Sequence, residues 1–92
     1  MHSVIFSSRG LSDIDQIREF IAQENSFYAE KVAETIFGFI NSHLSYFPLL
    51  GKEISLYKHL REIVEPTFKY RIIYTFDGSQ VIIYAVFKYK EF

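Results

Sequence analysis

Lysine, arginine and tyrosine are the residues of this chain that could do chemistry. They crowd its last third, where Arg61, Arg71, Lys88, Tyr89 and Lys90 lie in or beside runs of apolar, β-branched residues. Cations and proton-transfer groups are what metal-free cleavage of RNA needs. A base takes the proton of the attacking ribose hydroxyl, an acid protonates the departing oxygen, and cations hold the charge that builds on phosphorus. The same groups also suit gripping an acidic surface. Because the segments that carry them pattern as consecutive strands, Arg61, Arg71, Lys88 and Lys90 are expected to meet in one patch. Arg61 has a structural alternative in an ion pair with Glu62 or Glu53, and Lys88, Tyr89 and Lys90 have one in simple solvation near a terminus.

Other chemistries are poorly supplied. The chain has no cysteine, which removes thiolate metal sites, disulfides and cysteine nucleophiles together. His2, His43 and His59 show no ligand spacing, and His43, in line with Ile36 and Ile40, reads as a partly buried helix residue. Gly10, Gly38, Gly51 and Gly78 are scattered, so no loop that cradles phosphate is indicated. Neither a metal nor a cofactor is expected.

At 92 residues, with 49% hydrophobic and 18% aromatic content, the sequence is expected to form a single domain over residues 1–92 with a packed core. Its 10 Lys and Arg are offset by 11 Asp and Glu. That balance disfavours a protein whose affinity comes from neutralising many phosphates, and no direct DNA binding by this chain alone is expected. The longest apolar run is Val81 to Phe87, far too short for a membrane span, and the opening residues carry no export signal. A cytoplasmic protein with no membrane partner is the expectation.

The elements that must position the basic groups follow from periodicity. Ser3 to Phe6 reads as a first strand ended by a turn at Ser-Ser-Arg-Gly. Ile14, Ile17, Phe20 and Ile21 recur at helical spacing behind the N-cap candidates Ser12 and Asp13, which predicts a helix from about Ser12 to Gln23. Asn25-Ser26 recaps the chain, and Ala29, Val32, Ala33, Ile36, Ile40, His43 or Leu44, and Phe47 continue the period in a longer helix that Pro48 stops. Leu60 to Glu65, Phe68 to Phe76 and Gln80 to Tyr89 read as an antiparallel meander, with reversals at Pro66-Thr67 and Asp77-Gly78. The unalternating run from Val81 suggests a central strand covered on both sides. The fold class is thus α+β, in the order β-α-α-β-β-β, a helical hairpin packed on one face of a small, mainly antiparallel twisted sheet.

Phe6-Ser7, Phe20-Ile21-Ala22-Gln23-Glu24-Asn25, Phe47-Pro48-Leu49-Leu50-Gly51-Lys52, Leu60-Arg61-Glu62-Ile63-Val64, Tyr70-Arg71-Ile72-Ile73-Tyr74 and the run from Val81 to Lys90, in that order and spacing, resemble the RelE/ParE superfamily of bacterial toxins. The resemblance covers nearly the whole chain. It implies the toxin of a type II toxin-antitoxin module, a growth inhibitor neutralised by a cognate antitoxin. RelE-like members cut messenger RNA on the ribosome, whereas ParE-like members inhibit DNA gyrase; the fold alone does not choose between them. On the nuclease reading Arg71, Lys88, Tyr89 and Lys90 would be catalytic. On the gyrase reading Arg61, Arg71, Lys88 and Lys90 would contact the target.

Departures from the nuclease pattern favour the ParE-like branch. The interval Glu65-Pro66-Thr67-Phe68-Lys69 offers no arginine where ribonuclease members carry one, and no histidine stands near Tyr89. A third reading is an inactive member that only forms complexes and regulates its operon. Eight of the 17 Phe and Tyr residues fall between Phe68 and Phe92, more than a small core readily absorbs, so Tyr84, Phe87 and Tyr89 are expected to seat an antitoxin segment.

Overall fold

The computed structural model describes residues 1–88, so the expectations placed on Tyr89 and Lys90 lie outside the described residues. The elements run β1 (Ser3–Phe6), α1 (Ser8–Ala22), α2 (Ser26–Leu44), β2 (Lys52–Ile54), β3 (Tyr57–Val64), β4 (Tyr70–Phe76) and β5 (Gln80–Lys88). They form one five-stranded sheet in the order β1-β5-β4-β3-β2. β3, β4 and β5 are the expected antiparallel meander, and β1 joins β5 in parallel, Ser3 opposite Gln80 through Phe6 opposite Ile83. The α+β class and the helical hairpin on one face are as the sequence implies.

Residue chemistry explains the boundaries. Ser7, in extended conformation, caps α1 by accepting the Gly10 N–H at 3.0 Å, so the helix starts well before Ser12 and Asp13, the expected caps. Ser-Ser-Arg-Gly looks like a turn by composition, yet Gly10 is helical because α1 crosses β5 there. A Cβ on Gly10 would lie 2.5 Å from the Ile83 carbonyl oxygen. Asn25 caps α2 as expected, its side-chain oxygen accepting from the Tyr28 N–H at 2.9 Å. The helix ends at Leu44 rather than Phe47, and the buried stripe is Ala29, Val32, Ala33, Ile36, Ile40 and Leu44. His43 is exposed rather than partly buried, with Nδ1 in a hydrogen bond to the Phe39 carbonyl at 3.0 Å.

The core is Ile14 of α1 and the α2 stripe against Tyr70, Ile72 and Tyr74 of β4 and Val81, Ile83 and Val86 of β5. β5 lies between β1 and β4, but its second face is not covered by a layer: Tyr84 is 39% exposed. Its unbroken apolar run has another cause. Tyr84 is an extra residue in the β4–β5 register, where Ile73 opposes Ala85 and Tyr74 opposes Ile83. This bulge lets Val81 and Ile83 before it and Val86 after it all reach the helices.

Both tight reversals are held by carboxylates. Glu65, fully buried, accepts the backbone N–H groups of Thr67 and Phe68, and Lys69 closes the β3–β4 turn in the left-handed region at φ 67°. Asp77 accepts from Ser79 N at 2.9 Å and Gln80 N at 2.8 Å, and these donors, Gln80 first, hold its carboxyl below the ordinary carboxylate range. Gly78 beside it has φ 98°, a conformation that favours glycine.

Candidate functional site

Sheet register decides where the basic groups go. Tyr74 and Ile72 of β4 point to the helices, so their cross-strand neighbours Arg61 and Ile63 of β3 share that face. Arg71 and Ile73 point the other way, with Glu62, Val64 and Phe87. Arg61 and Arg71 therefore stand on opposite faces of one sheet, and the single patch expected of Arg61, Arg71 and Lys88 does not form.

Each of these cations is engaged. Arg61 donates from Nη1 to the Gly51 carbonyl at 2.7 Å and to the Leu49 carbonyl at 3.3 Å, with Glu53 at 3.7 Å from Nη2. It anchors the segment between α2 and β2, and Glu53 is one of the two partners its sequence neighbourhood offered. Arg71 donates from Nε to Glu62, with its guanidinium 5.3 Å from the centre of the Phe87 ring. Lys88 donates to the Phe68 carbonyl at 2.6 Å while lying 4.3 Å over the ring of Tyr70. The first of these settles a loop, the second occupies the open sheet face, and the third lines a groove.

Tyr74 is the counterpart of Arg61. Its hydroxyl accepts the Gly51 N–H at 2.7 Å in a fully buried position, so Gly51 is gripped at both its N–H and its carbonyl. A Cβ at Gly51 would lie 2.7 Å from the Tyr74 hydroxyl, which is why glycine stands there. Burial pushes the Tyr74 phenol above its ordinary range, partly offset by the Gly51 N–H and by Arg61. The folded protein thus holds this proton more tightly than the unfolded chain does. Its contribution to stability is complete below about pH 10 and is lost as pH rises beyond that. Tyr74→Phe should cost about 1–3 kcal/mol at neutral pH, by orphaning the Gly51 N–H. The variant should also show a shallower loss of stability above that pH; urea titrations across alkaline pH read both effects, and a parallel decline in both proteins would refute the second.

The groove is the concave feature that gathers predicted residues. Asp13, Gln16, Ile17 and Phe20 of α1 face Tyr70, Val86, Phe87 and Lys88 across about 480 Å³. It exists because β1 stops opposite Ile83 while β5 runs on to Lys88. Past that point the β5 edge is met by side chains: Ser7 Oγ donates to the Tyr84 carbonyl at 3.3 Å, and Asp13 accepts the Val86 N–H at 2.9 Å. Phe20, read as part of the buried stripe of α1, is 74% exposed on the groove rim.

A family model described as the ParE toxin of the type II toxin-antitoxin system, parDE, matches residues 4–91. The chain belongs to that family. The fold agrees: a solved structure titled "Chromosomal ParDE TA system from P. aeruginosa" superposes with a TM-score of 0.81 at 16% identity, covering 96% of each chain. No curated protein matches it.

Within this ParE-family domain the structure separates the predicted residues. Lys88 lines the groove, Tyr84 lies at the bulge, Arg71 lies with the Phe87 ring on the open sheet face, and Arg61 braces a loop. Sequence reasoning missed the α1 wall of the groove. Helical spacing marks a stripe but does not say which member of it overhangs the end of a strand. No helix among the described residues is long and apolar enough to cross a membrane, and no group of three or more metal-ligating side chains gathers among them.

Proposed function

We propose that this chain is the growth-inhibiting component of a toxin-antitoxin module, that it acts in the cytoplasm by binding DNA gyrase, and that a cognate antitoxin neutralises it by seating in the groove between α1 and the end of β5. The family match over residues 4–91 carries the reading. The separation of the basic groups supports target binding over RNA cleavage. A metal-free nuclease must bring its cations to one phosphate, and of the cations that reading needs, Arg71 is held by Glu62 and Phe87 on the open sheet face while Lys88 lies over Tyr70 on the face of the helices. The groove supports the antitoxin assignment. It combines exposed Phe20, half-buried Ile17 and buried Val86 with a carboxylate at Asp13 and an ammonium at Lys88, the apolar floor and polar rim of a peptide-binding surface. Arg71, Lys88, Tyr84 and Phe87 are the described residues proposed to contact partners, and Tyr89 and Lys90 complete the set.

Brief induction in cells tests this. Growth should arrest, gyrase supercoiling in the same samples should fall, and ribosome-bound messages should stay intact; coexpression of the adjacent small gene, if it encodes the antitoxin, should restore growth. Codon-aligned cuts in ribosome-bound messages, lost in Arg71→Ala, would instead establish a ribosome-dependent endonuclease. Unimpaired growth with soluble protein would mark an inactive member confined to complex formation.

A further inference from the structure

The two edges of the sheet differ in a way that points to a partner. The β2 edge is three residues long, carries Lys52 and Glu53, and its register breaks between Glu53 and Ile54. Shortness, charge and irregularity are the usual protections of an edge against strand addition. The β1 edge, Ser3-Val4-Ile5-Phe6, has no charge, no proline and no bulge. Ser7 donates its N–H to Ile83 of β5 at 2.9 Å, and His2 donates outward to the Ser45 carbonyl at 2.7 Å. By alternation the backbone groups of Val4 and Phe6 point outward, and among the described residues nothing pairs them.

We propose that β1 is an isologous interface at which two copies of this chain pair their first strands antiparallel across a two-fold axis. One register uses every outward group: Val4 opposite Phe6 of the second copy, Phe6 opposite its Val4, and Ile5 opposite its Ile5, closing four hydrogen bonds. That register also matches the side chains. Ile5, 43% exposed on the sheet face away from the helices, meets its own copy, and Val4 meets phenylalanine on the helix side. Space exists for that phenylalanine. A groove of about 470 Å³ runs beside Val4 along α2, lined in part by Gly38, Asn41 and Tyr46. The α2 wall is cut back at Gly38, where an added Cβ would meet nothing within 4 Å. Identical strands can approach because the strip they share holds no like charges, which is the argument for a second copy over a charged partner segment.

The test is sedimentation velocity on the purified full chain without antitoxin, across a wide concentration range. The wild type should show a reversible dimer. Ile5→Lys and Ile5→Glu should each weaken it by about tenfold or more, since like charges then face each other across the axis. Mixing the two variants should restore association, because lysine then faces glutamate. Thermal melts should show that both variants fold, as expected for a substitution on an exposed face, and Val4→Pro, which removes an outward N–H along with some packing of the half-buried Val4 side chain, supplies a second disruption to be judged beside its own melt. A wild type that stays monomeric, a dimer indifferent to these substitutions, or variants that fail to re-associate on mixing would each overturn the proposal. So would a monomeric toxin that loses antitoxin binding in Ile5→Lys, which would give the edge to the antitoxin. None of these readouts depends on the identity of the toxin's target.

Discussion

Gly10→Ala should destabilise the protein by about 3 kcal/mol, although alanine is the better helix former. The added methyl would sit 2.5 Å from the Ile83 carbonyl oxygen and 3.2 Å from its carbon. That carbonyl cannot swing aside cheaply, because it accepts the Ser7 N–H at 2.9 Å and Ser7 is the cap of α1. Relief therefore requires α1 to lift from β5, and with it Ile14 from the core and Asp13 from Val86. Gly38→Ala is the matched comparison. It is also a helix glycine, but its Cβ would meet nothing within 4 Å, so propensity acts alone and stability should rise by about 0.5–1 kcal/mol. Urea denaturation of both variants, with unchanged m-values, reads the contrast. Equal effects at the two sites would show that α1 and β5 are not in fixed contact at Gly10.

The parts of the fold legible in the sequence were those set by one residue's backbone preference or by a long period. Asn25 could only recap the chain, Gly78 could only turn it, and α2 repeats its apolar positions over 19 residues. The parts that were illegible depend on contacts distant in sequence. Gly10 reads as a turn residue until β5 is known to pass beneath it. Lys52–Ile54 has little strand character of its own and becomes β2 by pairing with β3, where Lys52 opposes Glu62 and Glu53 opposes Arg61. Tertiary pairing overrides local propensity in both cases.

The candidate site shows the same division. That Arg71 points away from Tyr70 and Ile72 follows from strand alternation alone, and the structure places it so. That Arg61 points the opposite way depends on the register between β3 and β4, where a shift of one residue would have brought the two arginines to one face. Arg61 opposes Tyr74, and that pairing commits it to bracing Gly51. Composition supplies the basic groups; register decides whether they converge.

Phe20→Ala should leave the toxin folded and toxic but cut antitoxin affinity by about 30-fold or more, the effect of removing a central aromatic anchor. Phe20 is 74% exposed, so the truncated ring contributes little to the core, and stability should move by no more than about 0.5 kcal/mol. Its value lies in what it offers a partner. Together with Ile17 it forms the apolar side of the groove, opposite Tyr70 and Val86, and an aromatic left in water on a concave rim gains most when a docking segment covers it. The discriminating comparison is with Phe27, 80% exposed at the start of α2 and outside the groove. Phe27→Ala removes the same ring from the same helical hairpin and should leave neutralisation intact. Titration calorimetry with the purified antitoxin, beside growth rescue in cells, separates the two. If both alanines weaken binding alike, the antitoxin grips the helical hairpin broadly rather than the groove; if neither does, the groove belongs to the target, and Phe20→Ala should then blunt gyrase inhibition instead.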